Sequence, residues 1–349
     1  MTAVLVVNAG STSLKLSRVG PGDSAEPIAS LDAAPHDVNA VAHRVVHGGA
    51  RLAVPVVIDD AVERELVALA ELAPLHNGPA LEGIRAARAA LPDVPHVAVF
   101  DSAFHATLPA EATTYPLPRR WREEWEIRRY GFHGLSVQWA AERVPVPRLV
   151  VCHLGGGCSV SAVREGRSVD TTMGFSPLEG VPMATRSGSI DVEIVLHLLR
   201  HDRLSVEEIE EALEHHSGLL GLSGNSARVE ELERSDEPRA QLALSVFAHR
   251  VAGAVAAMAT ALNGLDALVF TAGVGEGSAP VRADVCARLE FLGIELDLEA
   301  NRTAIPDADV AMPGSRVRVV VVRAREELIA ARAARELLTP KREFRAPNS

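Results

Sequence analysis

The sequence predicts an α/β protein made of two related domains. Its 349 residues exceed what one ordinary hydrophobic core requires. Short continuous apolar runs alternate with helical patterns along the chain. One arrangement also occurs twice, about 145 residues apart: an apolar strand, a polar residue, a glycine-containing turn and a second strand.

Taken in order, residues 3–7 read as a buried strand, 8–13 as a polar turn and Leu14 to Val19 as a returning strand. Helices are predicted over 60–72 and 79–91, separated by the segment from Pro74 to Pro79. The first starts at Asp59/Asp60, with Val62, Leu66 and Leu69 on one face. Residues 96–100 form a strand ending at Asp101, and 115–130 are irregular or short-helical. Strands at 148–152 and 160–163 repeat the opening hairpin, so that 149–158 answers 4–13. Ser205 and Glu208 form a capping box opening a helix to about 214. An Ala-rich helix covers 237–262. A strand at 268–270 leads into a glycine turn, 271–278, and then a helix from about 279 to 292. A strand at 317–322 and a helix at 325–338 follow.

Composition narrows the function. Hydrophobic residues are 47%, charged residues 23% and the net charge is −11, which suits a globular protein and disfavours a nucleic-acid binder. An anionic small substrate then needs a few cations focused in a cleft against the global field. Cys152, Cys158 and Cys286 fit neither a disulfide framework nor a common zinc spacing and read as buried thiols. The first residues lack the basic start of a signal peptide, and no run of about 20 apolar residues is evident. A cytoplasmic protein without a membrane span is expected.

Three glycine turns follow apolar strands: 8–15, Gly155-Gly156-Gly157 and 273–278. Backbone N–H groups in such turns can approach phosphate closely. None matches the P-loop or the dinucleotide-binding fingerprint. Lys15 is one of two lysines against thirty-three arginines, so its place in a Ser-rich turn points to phosphate; the competing reading is a surface lysine. Arg44 and Arg186 lie among small or apolar residues, where a half-buried guanidinium requires an anion: substrate, or an internal acid. Asp101 ends a strand, a place suited to Mg²⁺ or to orienting a substrate, or to capping a turn. His43, His47, His133 and His153 sit beside glycine or apolar residues, where structural hydrogen bonding competes with a catalytic role.

These segments together resemble the acetate kinase family of the sugar kinase–actin–Hsp70 superfamily, over residues 4 to about 330. The similar segments are Asn-Ala-Gly-Ser-Thr-Ser-Leu-Lys (8–15), His-Arg-Val-Val-His-Gly-Gly (43–49), Pro-Leu-His-Asn (74–77), Phe-Asp-Ser-Ala-Phe-His (100–105), Arg-Arg-Tyr-Gly-Phe-His-Gly (128–134), 170–180, Thr-Arg-Ser-Gly-Ser-Ile-Asp (185–191) and 270–276. The resemblance implies two duplicated ribonuclease H-like domains of the actin/Hsp70 type flanking an active-site cleft. One, 1–102 with 326–345, would hold acyl substrate and phosphate; the other, 103–325, would bind nucleotide and dimerise. It further implies reversible transfer of a phosphoryl group between ATP and acetate or propionate, with Mg²⁺ or Mn²⁺, in a homodimer. Asn8, Arg44, Asp101, His133 and Arg186 would be catalytic, with Asn8 and Glu326 at the metal. Arg44, Val46, Leu75, Phe132 and Pro177 would hold the acyl substrate. Ser11, Ser13, Lys15, His153, Gly155, Gly156, Gly157, Arg228, Gly273, Val274 and Gly275 would hold nucleotide or phosphate. A carboxylate nucleophile needs no strong base, so cations that neutralise an anionic phosphoryl group, in a site closed to water, suffice for direct in-line transfer.

The chain departs from the family pattern in places. Few residues separate Val19 from His43, where the family has a longer segment. Gly156 and Gly277 replace asparagines, 223–231 replaces a nucleotide-side segment, with Arg228 a shifted substitute for its arginine, and Thr-Asn-Glu-Glu is Arg-Ala-Arg-Glu-Glu at 323–327. The losses fall on the donor side. They keep open an altered donor (another nucleotide or pyrophosphate), a relative acting on longer carboxylates, and a non-catalytic ligand sensor.

Overall fold

The computed structural model describes residues 3–9, 14–70, 74–201 and 203–339, with backbone alone for 74–76. The chain divides into two compact units, Met1–Ala103 with Arg325–Ser349, and Phe104–Ala324.

The first unit holds a six-stranded sheet: β1 Ala3–Ala9, β2 Leu14–Val19, β3 Ala25–Ile28, β4 Val38–Val45, β5 Val56–Val57 and β6 His96–Phe100, in the order β3-β2-β1-β4-β6-β5. β1 to β3 form an antiparallel meander; β4 lies parallel to β1 and β6 parallel to β4, while β5 runs antiparallel at the edge. β1 is buried along its length apart from half-buried Asn8, which is why it reads as an unbroken apolar run. The helices Pro74–Ala90 and Glu326–Leu338 both pack on β1 and β4. Leu81 and Ile84 meet Val45, Leu66 and Phe100 in one core cluster, and Ala87 meets Leu5, Val7 and Val41 in another.

The second unit repeats the walk. β7 Arg148–Leu154, β8 Cys158–Arg164 and β9 Arg167–Thr171 form the meander; β10 Ala267–Thr271 runs parallel to β7, β12 Arg318–Val321 parallel to β10, and β11 Ala308–Asp309 antiparallel to β12. The order β11-β12-β10-β7-β8-β9 is that of the first sheet, element for element. The repeated hairpin is therefore a duplication of the whole sheet. The β8–β9 turn holds Glu165 and Gly166 at φ 50° and 77°, the left-handed pair that a two-residue hairpin loop requires.

Four expectations need correction. The helix predicted from 79 begins at Pro74 and runs to Ala90 with Pro79 inside; the hydrogen bond lost at Pro79 is offset by burial of Leu81, Ile84 and Ala87. The glycine stretch after β10 is a helix, Ala272–Gly277, not a turn. The helix that follows it ends at Ala287, ahead of a separate 3₁₀ turn at Glu290–Leu292. The helix Pro238–Leu262 is long and apolar enough to cross a membrane by length and composition, against the expectation that no such run exists. Here it packs on β7 and β8 and on neighbouring helices, and buries Phe247, Val251, Val255 and Met258. The capping box opens its helix as predicted: Ser205 Oγ accepts from Glu208 N, and Glu208 accepts from Ser205 N. All three cysteines are free and buried, and burial raises each thiol pKa, to about 12 for Cys158 and Cys286.

Candidate active site

In the first unit the sheet itself assembles a polar cluster. Parallel pairing sets Asn8 beside Arg44 in register, and Asp101 follows the end of β6 with its N–H donated to Val45 O at 3.0 Å. Arg44 donates from Nε to Asp101 Oδ1 at 3.0 Å, from Nη2 to Asp101 Oδ2, and from Nη1 to Asn8 Oδ1 at 3.0 Å. Glu326, in the first turn of the helix Glu326–Leu338, brings a carboxylate oxygen to 3.5 Å from Arg44 Nε. Burial works against the charge on Arg44, but Asp101 and Glu326 outweigh it and raise the guanidinium pKa. The internal acid that a half-buried arginine requires is thus Asp101. Lys15 lies opposite Asn8 in the β1–β2 register and is exposed. Val46 is half-buried. Ser11, Ser13 and the side chain of Leu75 lie outside the described residues.

Oxygen donors at Asn8, Asp101 and Glu326 suit a hard cation. Mg²⁺ uses one or two carboxylates and completes its shell with phosphate and water. The described residues contain no group of three or more His, Cys, Asp or Glu side chains of the kind that forms an all-protein cage. The donor set fits Mg²⁺ shared with a phosphorylated ligand.

In the second unit His133 stands at φ 61°, the N-cap of the helix Gly134–Arg143. Its ring stacks on His153 at 4.0 Å and 19°, and its Nδ1 lies 3.1 Å from Ser159 Oγ. His153, at the end of β7, bonds Ser136 Oγ at 2.8 Å. A Cβ on Gly157 would lie 3.2 Å from His133 Nε2 and 3.5 Å from Arg186 Nη1, so the glycine lets the turn lie against both. Arg186 pairs through Nε with Glu214 at 3.2 Å and donates from Nη1 to Pro177 O at 3.2 Å. Burial lowers the Arg186 pKa, opposed by Glu214, while burial raises that of Glu214, opposed by Arg186. Phe132 is buried, and its carbonyl lies 3.0 Å from His105 Nε2.

Gly155 N donates to Gly157 O at 3.0 Å, while an added Cβ at Gly156 would meet nothing within 4 Å. Gly273, Val274 and Gly275 lie in the helix after β10, whose last carbonyls, Gly275 O and Glu276 O, accept from buried Arg282 at 3.0 and 2.8 Å. Arg228 stands apart: it is exposed and pairs with Glu230 and Glu231 of the helix it caps. Sequence reasoning did not single out Glu214, Ser159, Ser136 or Arg282. Glu214 is one of five glutamates between 207 and 214, with no local signal to set it apart.

The model for the acetokinase family matches residues 27–332. The acetate kinase of Nostoc punctiforme is 47% identical over 302 residues, 83% of this chain and 74% of that protein. That of Carboxydothermus hydrogenoformans is 44% identical over 315 residues, 87% of this chain and 79% of that protein. Among solved structures, a propionate kinase from Francisella tularensis matches with TM-score 0.87 and 33% identity, over 95% of this chain and 99% of its own. The acetate kinase from Entamoeba histolytica matches with TM-score 0.85 and 30% identity, over 97% of this chain and all of its own (100%). A match of this extent, in sequence and in both sheets, places the chain in the acetokinase family.

Proposed function

We propose that the chain is a short-chain carboxylate kinase that transfers a phosphoryl group reversibly between ATP and acetate or propionate. The observation that carries the reading is Arg44 held edge-on by Asp101 within a family of acetate and propionate kinases. A guanidinium fixed in this way is oriented before any ligand arrives, so its charge stabilises the reacting anions without reorganisation.

In this reading acetate enters as its carboxylate, ionised at neutral pH, and no residue needs to remove a proton from it. Its oxygen attacks the γ-phosphorus of ATP as the bond to the β–γ bridging oxygen breaks, giving acyl phosphate and ADP. Arg44 and Arg186 offset the negative charge on the phosphoryl group, and His133 donates to one of its oxygens. Asn8 and Glu326 would hold Mg²⁺, with Asp101 keeping Arg44 in place; the bound ion would neutralise phosphate charge. Val46, Leu75, Phe132 and Pro177 would take the acyl methyl. Ser11, Ser13, Lys15, His153, Gly155–Gly157, Arg228 and Gly273–Gly275 would serve nucleotide and phosphate. The first unit would carry the acyl side and the second the nucleotide and the contact between two copies of a cytoplasmic homodimer. The helix Val192–Arg200, which has no buried residue and exposes Val192, Ile194 and Leu196, supports that last assignment.

A second reading, a changed phosphoryl donor, is favoured by open space where side chains at Gly156 and Gly277 would sit and by the surface position of Arg228. Trapping the product with hydroxylamine tests both readings, with acetate, propionate and butyrate as acceptors and ATP, other nucleoside triphosphates and pyrophosphate as donors. Acyl hydroxamate from acetate or propionate is expected. Its absence with every donor would defeat the enzymatic reading and favour a ligand sensor.

A further inference from the structure

The structure assigns a positioning role to Arg129, acting with Glu179 and Tyr115 on the loop that fixes Arg186; the inference rests on the proposed function only for its kinetic readout. Arg129 reaches four backbone carbonyls: Nε donates to Ala112 O at 3.2 Å, and Nη1 lies 3.1, 2.9 and 3.0 Å from Thr171 O, Thr172 O and Met173 O. Its Nη2 donates to Glu179 Oε1 at 2.8 Å. Glu179 Oε2 accepts from Tyr115 Oη, which in turn accepts from Phe175 N at 2.9 Å. One guanidinium and one phenol thus hold residues 171–179 by backbone and side chain. A Cβ at Gly174 would collide with Glu179 Oε2 and Tyr115 Oη, so any side chain there would displace the two groups that close the clamp.

Pro177 lies within the clamped segment, and its carbonyl accepts from Arg186 Nη1. Glu214 fixes the Nε edge of Arg186 and Pro177 its Nη1. With Arg129 removed, the carbonyl would lose its fixed place, and Arg186 Nη1 would keep only its weaker contact with Met183 Sδ at 3.6 Å. Arg129 touches no reacting atom in this scheme; it acts through Pro177 on Arg186.

The test compares Arg129→Gln, Arg129→Lys and Arg186→Lys with the double variant Arg129→Gln/Arg186→Lys. Arg129→Gln should lower kcat about 10- to 100-fold with KM for ATP within about twofold, and Arg129→Lys should recover part of the loss. In the Arg186→Lys background the same Gln substitution should cost less than about threefold, because the group it positions has already changed. Equal losses in both backgrounds, or an unchanged kcat, would overturn the assignment. A second readout needs no turnover: in Arg129→Gln, hydrogen exchange at Arg186 Nη1 and at the Phe175 amide should accelerate by about tenfold or more, with the β7 and β10 amides unchanged. If the wild-type chain forms no acyl phosphate, exchange alone decides. Unaltered exchange at Arg186 then refutes the clamp, while accelerated exchange upholds it and leaves only the proposed activity to be discarded.

Discussion

Arg44 and Asp101 meet edge to edge, two guanidinium nitrogens on two carboxylate oxygens, at the ends of neighbouring parallel strands. Asp101 is fully buried, so this pair sets the direction of the Arg44 plane. Asp101→Asn keeps the shape but loses the paired charge. It should lower kcat by roughly 10²- to 10³-fold while the far-UV circular dichroism stays native. Near-wild-type turnover would show that Asn8 and Glu326 orient Arg44 unaided.

Arg186 is the corresponding cation of the second unit. Arg186→Ala should cut kcat by about 10³-fold or more and leave Glu214, whose pKa burial already raises, without its partner. Arg186→Lys keeps the charge but cannot hold Glu214 and Pro177 O with one planar group, so it should fall in between. Acyl hydroxamate formation measures the loss, and thermal unfolding confirms that the variants fold.

Gly156 and Gly277 offer a gain-of-function test. Neither has a positive φ, and an added Cβ at either meets nothing within 4 Å. Gly156→Asn and Gly277→Asn should therefore be tolerated. Each should tighten ATP binding roughly 3- to 10-fold, the size of one added hydrogen bond. Titration calorimetry with ATP and with pyrophosphate reads the change. Weaker ATP binding in both variants would mean that the glycines themselves serve the donor.

Acid should destabilise the protein through two histidines held neutral. Burial, then His96 and Arg88, push His43 down to about 3; burial pushes His105 down to about 4, opposed by its bond to Phe132 O. Both folded pKa values lie below the ordinary 6.5, so the unfolded chain takes up more protons as pH falls. Their contribution is whole above about pH 6.5 and erodes toward pH 4 and then 3, by at most about 1.4 kcal/mol per pH unit for each ring. Urea unfolding from pH 7 to pH 4.5 should show the decline, and His43→Phe should flatten it. A slope unaffected by that substitution would assign the acid sensitivity to other groups.

Much of this was legible in the sequence because β1 and β7 are buried on both faces and so appear as unbroken apolar runs before glycine turns. Pairing in register then accounts for Asn8 and Arg44 coming together. Local signals failed where tertiary contacts overrule them. The stretch Ala272–Gly277 carries three glycines and reads as a turn, yet Arg282 binds its last carbonyls and holds it helical. Pro74, Gly78 and Pro79 read as a linker, yet the helix through them gains its stability from Leu81, Ile84 and Ala87 against the sheet. Glu214 and Arg129 were invisible as site-supporting residues because their partners lie 28 and 50 positions away, at Arg186 and Glu179.

The helix Glu326–Leu338 belongs to the first unit, although the whole second unit precedes it in the chain. Arg332 and Arg335 fasten it to Asp23, and Glu326 joins Asp101 as the second carboxylate beside Arg44. During synthesis on the ribosome, the contiguous unit can mature as it emerges, whereas the earlier-made sheet, complete at Phe100, waits for a helix that begins only at Glu326. Competence for chemistry in the first unit thus follows translation of the entire second unit.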